Sequence, residues 1–235
     1  MGRVIALVSG KGGTGKSTVA CNLGTALAEL GKKTVVVDAD LTMANVGLML
    51  GLHDKKITLH EVLAGKAKVE RAVYRSFHNL AVVPCGLSLE GVESMRLERI
   101  KPAVQSLSRD ADFLLLDCPS GFGEDTLAPL SSAQEAAIVL NPDFASITNA
   151  MNAKSMVERA GLRLTGLILN RVGRWGISSR KVGLTVGATI LGEIPDDPQV
   201  ARASSVGEPV LIFSPRSSAS KAFRKLARVL VEHGK

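Results

Sequence analysis

Residues 10–17 read GKGGTGKS, and this octapeptide decides the fold. It matches the pattern G-x-x-x-x-G-K-[ST] of a phosphate-binding loop, whose small residues let backbone N–H groups converge on phosphate oxygens. Lys16 is expected to reach the β- and γ-phosphates, and the Ser17 hydroxyl to bind Mg²⁺. Lys11 is a second lysine that an ordinary loop of this type does not need. The residues predicted to hold a nucleotide's phosphates are Gly10, Lys11, Gly12, Gly13, Thr14, Gly15, Lys16, Ser17 and Thr18.

The segments on either side of this loop support the same interpretation. Val4–Ser9 is apolar, β-branched at its start, and typical of a buried strand. After the loop, Ala20, Leu23, Leu27 and Leu30 recur at helical spacing. A helix N-terminus adds free N–H groups and a positive field to the loop. Strand, glycine-rich turn and helix together predict a nucleotide site rather than a turn that binds nothing.

Apolar runs alternate with helical patterns along the whole chain. The predicted strands are Val4–Ser9, Thr34–Asp38, Leu80–Val83, Phe113–Asp117, Ala136–Asn141, Leu164–Asn170 and Thr189–Ile194, and the predicted helices are 17–30, 89–108, 123–132, 144–160, 177–186 and 218–232. Continuous runs such as TVVVD and FLLLD suit parallel strands buried on both faces. We expect an α/β fold of the P-loop NTPase type, a doubly wound, mostly parallel sheet of about seven strands with helices on both faces. No linker divides the chain, so residues 1–235 are expected to form a single domain.

Carboxylates lie at the ends of two of these strands. In doubly wound sheets, functional residues gather at the carboxyl ends of the strands. The second strand ends VVVDAD, with Asp38 and Asp40, and the fourth ends LLLDCPSG, with Asp117. An aspartate after a hydrophobic strand is the expected magnesium-side carboxylate of P-loop ATPases. For Asp117, the alternative is that it only caps a helix or a turn at the end of its strand.

The composition indicates the cellular environment and the kinds of partner to expect. No run approaches the roughly 18 apolar residues of a membrane-spanning helix. Cys21, Cys85 and Cys118 are scattered and lack CxxC spacing, as expected for reduced thiols in the cytoplasm. The net charge is +7, and residues 171–235 carry 11 Lys or Arg against 5 Asp or Glu. That basic third fits either an anionic partner or an ordinary solvated surface.

The segments GKGGTGKST, VVVDADLTMANVGLMLG, LLLDCPSG, ILNRV and GEIPDDPQV together resemble the deviant Walker-A ATPases, with the MinD branch nearest and the ParA partition ATPases next to it. The resemblance implies an ATP- and Mg²⁺-dependent ATP hydrolase that forms a homodimer around ATP. Lys11 then corresponds to the signature lysine that crosses to the partner's nucleotide, where a cation supplied in trans stabilises the transferring phosphoryl group.

The same resemblance assigns further roles. Lys11, Lys16 and Asp40 are implied to be catalytic, Asp40 by orienting the attacking water. Ser17, Asp38 and Asp117 match the magnesium-side positions. The positions that match the adenine site are Asn170, Arg171, Pro195 and Asp196. Gly121 falls in the segment that would sense the γ-phosphate.

The implied function is a slow nucleotide switch for spatial positioning, with an activator protein as partner. The alternative within the family is a ParA-like ATPase that holds DNA non-specifically through its basic C-terminal third. A third class, iron–sulfur delivery, is disfavoured by the missing CxxC. The expected location is the cytoplasm or the inner face of the membrane, although no clear anchor is present.

Two segments leave alternatives open. The helix at 218–232 is amphipathic and basic, so it suits either a membrane surface or the closing helix of the core, and the motif alignment favours the core. Trp175, flanked by Arg174 and Arg180, suits either insertion into a partner or lipid interface or a half-buried packing role.

Overall fold

The computed structural model describes residues 1–86 and 94–233. Its strands are β1 (Arg3–Val8), β2 (Thr34–Asp38), β3 (Tyr74–Arg75), β4 (Ala81–Val83), β5 (Phe113–Asp117), β6 (Glu135–Leu140), β7 (Arg163–Val172) and β8 (Ile190–Pro195). The α-helices of this part of the chain are α1 (Lys16–Glu29), α2 (Val46–Met49), α3 (Leu59–Leu63), α4 (Ile100–Ser108), α5 (Glu124–Leu130), α6 (Phe144–Arg159), α7 (Ser179–Val186), α8 (Pro198–Ser205), α9 (Val210–Phe213) and α10 (Ser218–Glu232).

One eight-stranded sheet runs through the described residues in the order β3-β4-β2-β5-β1-β6-β7-β8. All neighbouring strands are parallel except β3 and β4. β1 lies between β5 and β6, so the chain winds outward from β1 in both directions. A doubly wound sheet opens a crevice at such a switch point, and the glycine-rich loop leaves β1 there. The predicted fold class is confirmed.

The sheet has one strand more than the prediction of about seven. β3 is a two-residue antiparallel edge strand that forms a hairpin with β4. His78 and Asn79 turn this hairpin with φ of 52° and 62°. Two residues are too short for any alternation of apolar and polar side chains, so the sequence pattern carries no signal for this strand.

Apolar side chains fill a layer on each face of the sheet. Val36 and Leu115 lie in one layer, and their chain neighbours Val37 and Leu116 lie in the other. All four are fully buried, and burial of each such side chain contributes about 1.5–3 kcal/mol. This two-sided burial explains why the strands read as continuous apolar runs.

The basic, amphipathic C-terminal helix is part of this core. α10 packs on α1 and β8, and its Phe223 and Leu226 side chains are buried. On its outer side, Arg224 forms an ion pair with Glu29 of α1 at 2.6 Å. The apolar face of this helix is therefore covered by the sheet, as expected for a closing helix.

The helices differ from prediction mainly where they are short. The predicted helix 89–108 is α-helical only from Ile100, after a 3₁₀ turn at Leu97–Arg99, and its residues 89–93 lie outside the described part. α2, α3, α8 and α9 were not predicted as helices. Each spans four to eight residues, so an apolar stripe has too few turns in which to repeat.

Candidate nucleotide-binding site

The glycine-rich loop joins β1 to α1 in a conformation that needs glycine at two positions. Gly15, the residue before α1, has a φ of 91°, and a Cβ there would collide with the Asn170 amide. A Cβ on Gly10 would collide with the main chain of Asn149 in α6. The loop is therefore held against β7 and α6, with its backbone curled at the start of a 14-residue helix.

Lys16 and Ser9 link the loop to the segment after β5. The Lys16 side chain is buried, and its Nζ donates a hydrogen bond to Ser9 Oγ at 2.9 Å. Ser9 Oγ donates to the Lys11 carbonyl at 2.8 Å, and the Ser9 carbonyl accepts from Gly121 N at 3.2 Å. Ser9 was not predicted as a site residue because it reads as the last residue of a strand.

Asp117 is a buried carboxylate at the end of β5. It is 1% exposed, and within the described part of the chain neither of its side-chain oxygens accepts a hydrogen bond of ordinary geometry. Burial raises the pKa of Asp117 to about 6, against the opposing influence of the Ser17 hydroxyl and the Lys16 ammonium. Thr14 Oγ1, in the loop itself, is likewise buried and unpaired. Unsatisfied oxygens beside a phosphate-binding loop fit a hydrated Mg²⁺, whose preferred ligands are hard oxygens.

Asp38 lies beside Asp117, but both of its carboxylate oxygens accept hydrogen bonds from its own loop. The two residues are register partners on β2 and β5. Asp38 Oδ1 accepts from Asp40 N, and Asp38 Oδ2 accepts from the main-chain N–H groups of Asn45 and Val46 at 3.1 and 3.0 Å. Burial and the charge of Asp117 raise the pKa of Asp38 despite these bonds. These bonds cap the turn that follows β2, so Asp38 shapes the loop that carries Asp40.

Asp40 has one occupied and one open carboxylate oxygen. Its Oδ1 accepts from the Thr42 hydroxyl at 3.1 Å and from Met43 N at 3.0 Å. Among the described residues, no group donates to its Oδ2. The buried His60 ring supports the same loop, with Nε2 at 3.2 Å from the Leu41 carbonyl. The half-buried Asp40 thus keeps one carboxylate oxygen that its own turn does not use, as an activator of water would require.

Lys11 lies outside the buried cradle that holds Lys16. Its side chain is 36% exposed, and Nζ lies 3.5 Å from Oδ1 of Asp143, the N-cap of α6. Such an exposed, long ion pair contributes at most about 1 kcal/mol. The two lysines of the octapeptide therefore occupy different environments, and only Lys16 is held inside.

The residues predicted to hold adenine gather at the ends of β7 and β8. Asn170 is buried, and its Nδ2 donates to the Thr14 carbonyl at 2.8 Å, so its amide nitrogen already supports the loop. With its amide oxygen and nitrogen exchanged, Asn141 would donate to the same carbonyl at 3.3 Å and to the Asn170 carbonyl at 3.2 Å. Asn141 was not predicted as a site residue, although like Asn170 it is the last residue of a predicted apolar strand. The exposed Arg171 has a φ of 54°, and Asp196 N donates to the Val172 carbonyl next to it at 3.0 Å.

A comparison with known proteins agrees with this geometry. A ParA family model, described as NUBPL iron-transfer P-loop NTPase, matches residues 1–231. The cell division ATPase MinD of Pyrococcus furiosus has a TM-score of 0.96 and 40% identity, covering 99% of this chain and all of that one. The septum site-determining protein MinD of Pyrococcus horikoshii, solved with Mg-ADP, has a TM-score of 0.95 and 39% identity, covering 100% and 98% of the two chains.

More distant MinD proteins match over similar lengths. The septum site-determining protein MinD of Bacillus subtilis is 31% identical, with 97% of this chain and 88% of that protein covered. A MinC:MinD cell division complex of Aquifex aeolicus matches with a TM-score of 0.87 and 30% identity, covering 98% and 96%.

The sheet order and the glycine-rich loop define a P-loop NTPase. Within that class, the chain belongs to the ParA/MinD family and is a MinD-like ATPase. Its nucleotide is ATP with Mg²⁺, and its reaction is the hydrolysis of ATP. The family, fold, cofactors and reaction predicted from the sequence are thereby confirmed.

Proposed function

We propose that this chain, acting as one ATPase domain of residues 1–235, is a nucleotide switch that dimerises around Mg·ATP and separates after hydrolysis. The observation that carries the proposal is the position of Lys11. Its ammonium lies outside the cradle of its own loop, on a weak ion pair with Asp143, while Lys16 occupies the inner place. A second cation held at the surface beside the loop is suited to complete the site of another subunit.

Within one subunit, the proposed roles follow the environment of each side chain. Lys16 and the loop amides hold the phosphates, and Ser17 with Asp117 holds Mg²⁺, which supplies charge neutralisation when bound. Asp38 acts on that ion through the shape of its loop and through water. Asp40 orients the attacking water. Asn170, Arg171, Pro195 and Asp196 surround the base.

ATP shifts the equilibrium between the slowly hydrolysing monomer and the faster dimer. A ligand shifts a monomer–dimer equilibrium only as far as it binds the dimer more tightly. ATP reaches the cation of both subunits only in the dimer, whereas ADP lacks the γ-phosphate on which that cation acts. ATP therefore drives assembly and hydrolysis reverses it.

The cellular role we propose is the placement of the division site or of a cargo, with a protein partner that reads the dimer. This rests on the MinD proteins above, whose names concern septum site determination, and on the MinC:MinD complex. An anionic surface is a second partner class, because most of the net charge of +7 falls within the C-terminal third. Iron transfer is less suited, because the three cysteines are separate buried thiols on different elements.

Mass measurement by light scattering tests the switch. With saturating Mg·ATP, we expect a mass about twice 24.7 kDa, and with Mg·ADP or no nucleotide a monomer. Lys11→Ala should bind ATP with nearly unchanged affinity but stay monomeric and inactive, and Lys11→Arg serves as the matched charged control. A wild-type protein that hydrolyses ATP as a monomer at every concentration would overturn the proposal.

A further inference from the structure

The loop between β7 and α7 presents a tryptophan to solvent. Trp175 is 91% exposed, so the half-buried packing role considered from the sequence is wrong. The loop is nevertheless anchored, since Ile177 N donates to the Pro142 carbonyl at 2.9 Å and Gly176 packs against the Pro142 ring. The Arg174 guanidinium lies over the indole, 5.4 Å from its ring centre. A large apolar ring held outward on an anchored loop is unusual unless something else covers it.

The surroundings of this loop are strongly basic. Between Glu158 and Glu193 the sequence has six Arg or Lys residues and no Asp or Glu. Arg180 and Lys181 lie in the first turn of α7, where the helix field disfavours cations, and that turn contains no acidic residue. These two charges therefore do not serve the stability of their own helix. Asp143, the chain neighbour of the anchoring Pro142, already binds Ser146 and Lys11.

An exposed leucine completes the pattern. α7 buries Val182 and Val186 against the core and leaves Leu184 75% exposed on the side that also carries Arg180 and Lys181. We name the set Arg174, Trp175, Arg180, Lys181 and Leu184 the Trp175 surface. Tryptophan prefers the headgroup level of a bilayer, leucine the acyl boundary, and Arg or Lys the lipid phosphates. Non-specific binding of DNA needs the cations but not the exposed leucine.

We propose that the Trp175 surface docks on anionic phospholipid bilayers. The indole is inserted at the headgroup level, and the other four residues of the surface contact lipid. This deepens the proposed function by naming the face of the protein that contacts the anionic bilayer. It rests on the proposed function only for the effect of nucleotide on vesicle binding. Two Trp175 surfaces in one ATP-bound dimer bind the same vesicle, and the second contact is then intramolecular and strengthens the first.

Intrinsic fluorescence tests this directly, because Trp175 is the only tryptophan in the chain. Full-length protein is titrated with vesicles of phosphatidylglycerol and phosphatidylcholine, with pure phosphatidylcholine vesicles and with duplex DNA. We expect a blue shift and protection from acrylamide only with the anionic vesicles, weakening as salt is raised. An emission spectrum unchanged by anionic vesicles, or one shifted by DNA alone, overturns the proposal.

Paired variants distinguish a specific effect of the Trp175 surface on vesicle binding from a general effect of net charge. Arg180→Gln with Lys181→Gln should lower vesicle partitioning in sedimentation about tenfold or more, and Trp175→Ala should lower it similarly. Lys101→Gln with Arg109→Gln removes two exposed charges from the region of α4 and should change it far less. Equal losses in the two charge pairs would contradict the assignment. If vesicle binding occurs but Mg·ATP does not strengthen it, the surface stands and the switch fails.

Discussion

At the scale of single residues, two aspartates in the same sheet register have opposite environments. Asp38 has three backbone donors and organises its loop, whereas Asp117 is buried and has no donor of ordinary geometry among the residues that the structure describes. An unpaired buried carboxylate costs stability, and it persists at functional sites where a ligand later satisfies it. The sequence pattern, an aspartate after an apolar run, is the same in both cases.

Replacing Asp117 therefore separates stability from function. Asp117→Asn removes a buried, poorly solvated charge, so we expect the nucleotide-free protein at pH 8 to gain about 1–2 kcal/mol in the free energy of unfolding. The same variant should lose most of the stabilisation that Mg·ADP confers on the wild type. Thermal unfolding with and without Mg·ADP measures both effects. Asp110→Asn, at an exposed position, is the control, and a nucleotide-free Asp117→Asn protein that unfolds below the wild-type temperature would contradict the argument.

Lys16 offers a second test at this scale. Its buried ammonium donates one hydrogen bond to the neutral Ser9 hydroxyl, and its two other N–H donors are available for phosphate. Lys16→Ala should reduce ATP affinity at least a hundredfold and abolish turnover, because charge-assisted bonds to phosphate are lost from a buried site. Calorimetric titration with Mg·ATP measures the affinity. Near-normal affinity together with turnover would be incompatible with the loop assignment.

At the scale of secondary-structure elements, Glu135 joins three neighbouring strands at their amino-terminal ends. Its carboxylate accepts from Arg3 of β1 at 2.8 Å and from Thr165 of β7 at 2.9 Å, and it pairs with Arg163 of β7 at 2.7 Å. Although burial opposes it, these bonds lower the pKa of Glu135 to about 2. The ionised carboxylate is thus stabilised by folding, and the pairing of β1, β6 and β7 depends on it.

This predicts a pH dependence with a definite sign. Because the pKa falls on folding, the stabilisation is complete above the unfolded pKa of about 4.3 and is lost as the pH falls toward 2. Glu135→Gln should cost roughly 2 kcal/mol in urea unfolding at pH 7, and about half of that difference should remain at pH 3. The exposed Glu98→Gln is the control. A difference between wild type and Glu135→Gln that grows as the pH falls would show that the sign is wrong.

At the scale of the whole molecule, the winding of the sheet brings distant segments to one edge. The loop after β1 meets Asp40 after β2, Asp117 at the end of β5, Asp143 after β6 and Asn170 in β7. Lys11 lies at the surface of this assembly beside α6. A site built at an edge, with one cation left outside, is open to completion by a second copy.

Asp40→Ala tests this arrangement. With the water-orienting carboxylate removed, bound ATP should persist, so the variant should remain dimeric in Mg·ATP for many times the lifetime of the wild-type dimer. Light scattering over time measures the mass. Thr42→Val is the matched control, since it removes the hydrogen bond to Asp40 Oδ1 but keeps the carboxylate. A monomeric Asp40→Ala protein at saturating Mg·ATP would refute the assigned role.

Prediction from the sequence succeeded where the signal is local. The octapeptide and its flanking strand and helix span about thirty residues, so the loop and the doubly wound sheet followed directly. It failed for β3 and for the short helices, which have too few residues for a period. It also missed Ser9 and Asn141. The role of Ser9 depends on the path of the loop, which brings Lys16 back to it, and that of Asn141 depends on Thr14, which is distant along the chain.

The sequence by itself therefore determined the phosphate-binding loop, the class of fold and the nucleotide, because each depends on residue types at fixed short spacings. Only the tertiary structure decided which aspartate is left unpaired, where the two lysines lie and that Trp175 faces water. Those properties depend on what packs against a side chain from elsewhere in the chain, and no short window of sequence contains that information.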